Sequence, residues 1–296
     1  MPFVPSDQSS RMKGSETIPA PSRSASAGEK QPVSPCFTRD EVERFHRDGY
    51  IIVRGLADDR MLARMLAVTR DGMAREIEPI EYEADLKYPG APESKAAAGG
   101  RTIRRLKQAH ARDYVFTEWM IDPPLLGRLR QIVSPSLVVP LAHHNCIMTK
   151  SPQFSSDTGW HQDIRYWSFP RPDLVSVWLA LGSEREQNGC LWLIPGSHRM
   201  TFDRSRFDSE LFFRADHPEN QTLIATKVKA ELDPGDVLFF HCRTLHAASR
   251  NFTNEPKLSV VLTVRSADNP PRPDSRSAAS PEIILPPGEV PDASNS

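Results

Sequence analysis

The rhythm of hydrophobic and polar residues changes partway along this chain. Between residue 37 and about residue 75, apolar side chains recur at helical spacing, and from about residue 137 they gather in short runs broken by turn residues. Thr38-Arg39-Asp40-Glu41 fits a capping box, with Phe37 placed as a hydrophobic staple. Val42, Phe45 and His46 then share one face until Asp48-Gly49 stops the helix. Tyr50-Ile51-Ile52-Val53 reads as a strand, and a second helix over about 58–73 carries Met61, Leu62, Met65, Leu66 and Val68 at helical spacing. The stretch 80–112 is charged and rich in small residues, around Ala96-Ala97-Ala98-Gly99-Gly100, and reads as a mobile loop.

Further on, the runs 136–140, 145–149, 174–181, 190–194, 236–240 and 258–264 read as strands, with Asn188-Gly189, Pro195-Gly196 and Pro234-Gly235 as turns. Helices first and many short strands afterwards predict a mainly β fold with flanking helices, a β-sandwich or jelly roll. Nearly half of the 27 prolines fall in 1–35 and 269–296, both Ser- and Pro-rich, which predicts disordered tails around a folded domain of about 36–268.

Composition narrows the class. A net charge of -1 offers no basic field for nucleic acid or for an anionic membrane surface, so a small-molecule substrate is the expected partner, with the oligomeric state open. No apolar run approaches the roughly 20 residues needed to span a bilayer, and the N-terminus lacks the apolar centre of a signal peptide, so a cytoplasmic location is expected. Cys36, Cys146, Cys190 and Cys242 form no C-x-x-C pair and read as free thiols in a reducing compartment.

The chemistry concentrates in Gly159-Trp160-His161-Gln162-Asp163. In an extended segment residues two apart project to one side, so His161 and Asp163 can reach the same ion. With a second histidine downstream they form a 2-His-1-carboxylate facial triad, which holds non-haem Fe(II) and leaves positions open. An isolated His-x-Asp most often lies in a solvated loop, so the pattern alone is weak. Both His241 and His246 stand near a strand end and either can complete the set. The remaining histidines (His46, His110, His143, His144, His198 and His217) read as structural or surface residues.

Several motifs in order are more specific. His161-Gln162-Asp163-Ile164-Arg165-Tyr166-Trp167, Trp178, the run Asn188-Gly189-Cys190-Leu191-Trp192-Leu193-Ile194-Pro195-Gly196-Ser197-His198, Gly235-Asp236-Val237-Leu238-Phe239-Phe240-His241 and Leu245-His246 together resemble the phytanoyl-CoA dioxygenase family. The resemblance covers roughly 37–267. It implies a double-stranded β-helix of the cupin-like jelly-roll type. It also implies an enzyme that uses Fe(II) and O₂ and splits 2-oxoglutarate to succinate and CO₂ while oxidising a substrate.

By position, the resemblance makes His161, Asp163 and His246 the iron ligands and places Gln162 and Trp178 at the 2-oxoglutarate site. The family's cation for the distal carboxylate, usually Arg, sits eleven residues after the last ligand and is Lys257 here. Lysine offers a compact point charge without the planar fork of arginine. Arg265 would share its face on a regular strand and could contribute instead. Where the family has a small hydroxyl-bearing residue two positions after the ligand, this chain has Ala248, followed by Ser249. Halogenating relatives replace the carboxylate with a small residue, so Asp163 favours hydroxylation or another oxygen-based oxidation over halogenation.

Arg165, Tyr166, Trp167 and Arg171, with Arg104, Arg105 and Lys107, could line a mouth for a carboxylate-, phosphate- or CoA-bearing substrate; ordinary surface charge explains them equally well. Two other classes fit the residues: a cupin-like metal protein without 2-oxoglutarate chemistry, such as an isomerase or hydrolase, and a non-catalytic binding protein.

Overall fold

The computed structural model describes residues 34–292. Along the chain run α1 (Arg39–Asp48), β1 (Tyr50–Val53), α2 (Asp59–Ala74), β2 (Ile80–Tyr82), β3 (Ile103–Lys107), α3 (Tyr114–Met120), α4 (Pro123–Ile132), β4 (Leu137–Pro140) and β5 (Asn145–Lys150). There follow β6 (Thr158–His161), β7 (Val175–Ala180), β8 (Leu191–Leu193), α5 (Pro218–Ile224), β9 (Val228–Ala230), β10 (Val237–His241), β11 (His246–Ala248), β12 (Lys257–Ser266) and β13 (Glu282–Ile284).

Local chemistry starts and stops the first helix as its sequence predicts. Glu41 N–H donates to the Thr38 hydroxyl at 3.3 Å, and Thr38 N–H donates to the Glu41 carboxylate at 2.9 Å, completing the capping box. Gly49 ends the helix at φ +79°, and a Cβ there would sit 2.3 Å from His198 Nδ1. Only glycine satisfies both the left-handed backbone and the close ring.

The strands form two antiparallel sheets. The larger has the order β1-β10-β7-β12-β5-β3-β2, with β4 paired to the end of β12 and β13 paired to β4; the smaller is β6-β11-β8-β9. Two-residue alternation divides the larger sheet between two cores. Val177, Leu179, Val237, Phe239, Leu258, Val260 and Leu262 face a core shared with Phe37, Phe45, Met65 and Trp119. Trp178, Ala180, Leu238, Phe240 and Val261 point the other way and pack against Leu191, Leu193 and Ala248 of the smaller sheet. This is the helix-flanked jelly roll that the sequence predicts, and the site lies between its sheets.

Two segments differ from expectation. The stretch 80–112 contributes β2 and β3 to the larger sheet, with Leu106 and Ala109 fully buried. Its charge misled because two of the charged residues face inward: Arg104 donates to Glu83 at 3.1 Å, with both side chains almost wholly buried. The C-terminal segment is packed through Leu285 rather than disordered from 269. β13 joins β4, Leu285 is buried, and Glu282 accepts from Arg265 Nε at 2.8 Å. Asn269 exchanges hydrogen bonds with the Arg171 backbone at 3.0 and 2.8 Å, so backbone and polar bonds hold a segment poor in apolar residues. Apart from Ser34 and Pro35, the predicted N-terminal tail lies outside the described residues.

Truncation after Asp268 is therefore expected to destabilise the domain by about 3 kcal/mol or more, because it strands the buried Arg265 charge. Urea denaturation reads this as a lowered midpoint.

Candidate active site

β6 ends at His161, Gln162 is extended at φ -110° and ψ 135°, and Asp163 opens a short 3-10 turn. His161 and Asp163 therefore project to one side, as the spacing predicts. The register pairs His246 of β11 directly with His161 of β6. Three ligand atoms, one each from His161, Asp163 and His246, lie within 4.8 Å of one another. Asp163 Oδ1 stands 3.9 Å from His161 Nε2 and 3.6 Å from His246 Nε2.

Backbone carbonyls orient both imidazoles. His161 Nδ1 is 2.9 Å from Gly159 O and His246 Nδ1 is 3.0 Å from Thr244 O. A carbonyl can only accept, so each Nδ1 carries the proton and each Nε2 turns its lone pair inward. Burial holds the His161 imidazole well below its usual pKa, which keeps that lone pair available. Burial pushes the Asp163 carboxyl up, but His144, His246, His161 and a hydrogen bond from Ser176 outweigh it and hold the group near 2. Ser176 donates to Oδ2 at 2.8 Å, which leaves Oδ1 facing the two Nε2 atoms. Three acceptors thus converge with no donor between them. A cation relieves that repulsion, and two imidazoles with one carboxylate are a donor set suited to Fe(II).

The triad opens into a cavity of about 440 Å³. Trp178, Lys150, Lys257, Ala248, Thr149 and Leu191 line one part; Arg105, Tyr88, Arg165, Tyr166, Trp167 and Arg276 line another. Lys257 is buried and ion-paired: its Nζ lies 3.0 Å from Glu184 Oε2 and 4.8 Å above the Trp178 ring. Glu184 in turn accepts from Trp178 Nε1 at 2.9 Å and from Ser259 Oγ at 2.6 Å.

Comparison with known proteins agrees with this geometry. Residues 45–259 match the family described as Phytanoyl-CoA dioxygenase (PhyH). The chain belongs to that family. It is accordingly a 2-oxoglutarate-dependent dioxygenase. It is 24% identical to an ectoine dioxygenase of Bordetella parapertussis, over 79% of this chain and 77% of that protein. It is 22% identical to the peroxisomal phytanoyl-CoA dioxygenase of Homo sapiens, over 78% and 69%. The fold matches EctD from S. alaskensis, solved with 2-oxoglutarate and 5-hydroxyectoine, at TM-score 0.65 and 20% identity, covering 82% of each chain. It also matches the epimerase SnoN, solved with Fe3+, alpha-ketoglutarate and nogalamycin RO, at TM-score 0.63 and 21% identity, covering 79% and 85%.

Of the other expected site residues, Trp178 and Lys257 line the cavity and Gln162 does not. Strand alternation turns Gln162 away from its two neighbours, and its amide donates to Arg243 O at 2.6 Å. Arg265 is also excluded. It lies eight residues beyond Lys257, roughly 26 Å along an extended strand, and is bonded to Glu282. His241 packs its ring 5.2 Å from that of His198 and accepts from Arg243 N–H, outside the triad. Arg171 is held by Asp173 and Asp268, and Arg104 by Glu83.

Sequence reasoning missed several cavity residues, among them Lys150, His144 and Arg276. His144, read as structural or surface, sets Nδ1 3.7 Å from Asp163 Oδ2, and burial holds its imidazole below the usual pKa. Nothing in its sequence context signals this, since the contact joins the turn after β6 to the residue before β5. Arg276 was hidden in the supposed tail.

The geometry separates the two candidate third ligands. His246→Ala is expected to weaken Mn(II) binding at least a hundredfold, and His241→Ala to leave it within about twofold, read by isothermal titration. An equal loss from both substitutions contradicts this assignment.

Proposed function

We propose that this protein is an Fe(II)- and 2-oxoglutarate-dependent dioxygenase that hydroxylates an anionic small molecule and releases succinate and CO₂. The convergence of three buried acceptors on one point, at the wall of a cavity, carries the reading. His161 and His246 would hold Fe(II) through Nε2, and Asp163 through Oδ1. When bound, the iron and 2-oxoglutarate supply the oxidising power.

The protein's own contribution is geometry and shelter. Ser176 occupies Asp163 Oδ2 at 2.8 Å, which favours single-oxygen ligation and leaves positions open for co-substrate and O₂. An intact carboxylate ligand also fills the position that halide would need, which favours hydroxylation. Thr244 O and Gly159 O keep the imidazoles in register, and Trp178 with Lys257 walls the co-substrate end.

At the other end Arg165 stacks 3.9 Å over the Phe212 ring and donates to Tyr88, and it makes no ion pair with a carboxylate among the described residues. Arg276 likewise lines the cavity without a carboxylate partner among the described residues. Two such cations beside the aromatic walls of Tyr166 and Trp167 favour a carboxylate or phosphate group on the substrate. A small metabolite satisfies this, and so does an acyl-CoA thioester entering by its acyl end. Four buried, unpaired thiols suit a reducing, cytoplasmic setting.

Purified protein is expected to form succinate only with Fe(II), O₂ and 2-oxoglutarate together, and Asp163→Ala to lower the rate at least a hundredfold. Carboxylate- and phosphate-bearing compounds should stimulate that release more than their neutral amides or esters. Absence of succinate under all conditions, with metal bound, rejects the reading.

A further inference from the structure

Three cations are buried at the co-substrate end of the cavity: Arg104, Lys150 and Lys257. Two of them already have carboxylates. Arg104 donates to Glu83 at 3.1 Å, and Lys257 donates to Glu184 at 3.0 Å. The nearby Asp157 is likewise taken, by Arg250 at 2.5 Å. Lys150 has no carboxylate partner among the described residues. Its one hydrogen bond goes to the Ser156 carbonyl at 2.8 Å, which leaves two of its three N–H donors unused.

Lys150 is also well placed. It ends β5 and pairs in register with Lys257 of β12, so the two side chains stand on the same face of the sheet. On β7 the same face carries Ser176, which holds Asp163, and then Trp178, which lies beneath the Lys257 ammonium. One side-chain repeat, about 7 Å, separates those two positions. A five-carbon diacid with its keto-acid end at the triad spans that distance. The Lys150 and Lys257 backbones lie two repeats further along the sheet, where Lys257 reaches back over Trp178 and Lys150 lines the same cavity.

We infer that Lys150, rather than Lys257, supplies the uncompensated positive charge for the distal carboxylate of 2-oxoglutarate. Lys257 with Glu184 is then a neutral wall, held by Trp178 Nε1 and Ser259 Oγ, that shapes the pocket beside it. The charge that the family resemblance places on β12 has moved one strand across, to β5. Burial, with Arg104 and Lys257 close by, pushes the Lys150 ammonium down to about 7 against the opposing pull of Glu83 and Asp157, which are paired to Arg104 and Arg250. This inference rests on the co-substrate reading above, and the experiment separates the two.

The test uses the full chain loaded with Mn(II), titrated calorimetrically with 2-oxoglutarate and with 2-oxopentanoate, which has the same keto-acid end but no distal carboxylate. Wild-type protein is expected to prefer 2-oxoglutarate at least tenfold. Lys150→Met should lower 2-oxoglutarate affinity to that of 2-oxopentanoate while leaving Mn(II) and 2-oxopentanoate binding unchanged; those two affinities also report that the variant is folded. Lys150→Arg should keep a preference. The double variant Lys257→Met with Glu184→Gln alters the wall and should weaken both keto acids alike, with the preference intact. A preference that survives Lys150→Met, or that is lost only in the double variant, overturns the assignment. Wild-type protein that binds Mn(II) but neither keto acid overturns the co-substrate reading itself, and the inference with it.

Discussion

The site depends on an electrostatic conflict that the fold imposes and only a cation resolves. Asp163 Oδ1 and the Nε2 atoms of His161 and His246 face one another across less than 5 Å at the wall of the cavity. Buried acceptors without a donor are costly. The remaining hydrogen bonds fix the conflict in place: Ser176 holds the far carboxylate oxygen, and two carbonyls hold the far ring nitrogens. Supporting contacts of this kind set the tautomer and direction of metal-binding side chains.

The jelly roll supplies these contacts through simple periodicity. β7 lies in the middle of the larger sheet, and all of its residues are buried. Its odd positions, Val177 and Leu179, serve the core under the helices, while Ser176 and Trp178 serve the cavity. A one-residue slip in its pairing with β12 would turn both cavity residues out of the site. The smaller sheet contributes through register instead, by setting His246 opposite His161. Two ligands distant in sequence become neighbours because two strands pair.

The same packing changes the meaning of charge. Arg104, Lys150 and Lys257 look like solvated residues in a list, yet each faces inward and is less than a tenth exposed. A charge in such a place must be paired or must await a ligand. Glu83 and Glu184 settle two of the three. Glu184 lies in the segment after β7 and carries no motif of its own, so its effect on Lys257 is visible only once β12 lies beside it.

Much of this protein could be read from its residues because the relevant information is local. A capping box, a helix-ending glycine, strands broken by Asn-Gly and Pro-Gly, and the His-x-Asp spacing each act within a few residues, and they place α1, most of the strands and the common side of His161 and Asp163. Local pattern failed where stability comes from partners far along the chain. β3 is a charged strand whose arginine is neutralised by Glu83, and β13 is a short strand in a proline-rich segment that holds by pairing with β4. The resemblance names His246 over His241, and strand pairing sets His246 opposite His161; the direction of Gln162 and the neutralisation of Lys257 followed from alternation and pairing alone. Sequence determined which chemistry this chain can perform. Tertiary structure decided which atoms converge at the cavity wall and which buried cations are paired to carboxylates, because burial and charge compensation exist only between segments that folding brings together.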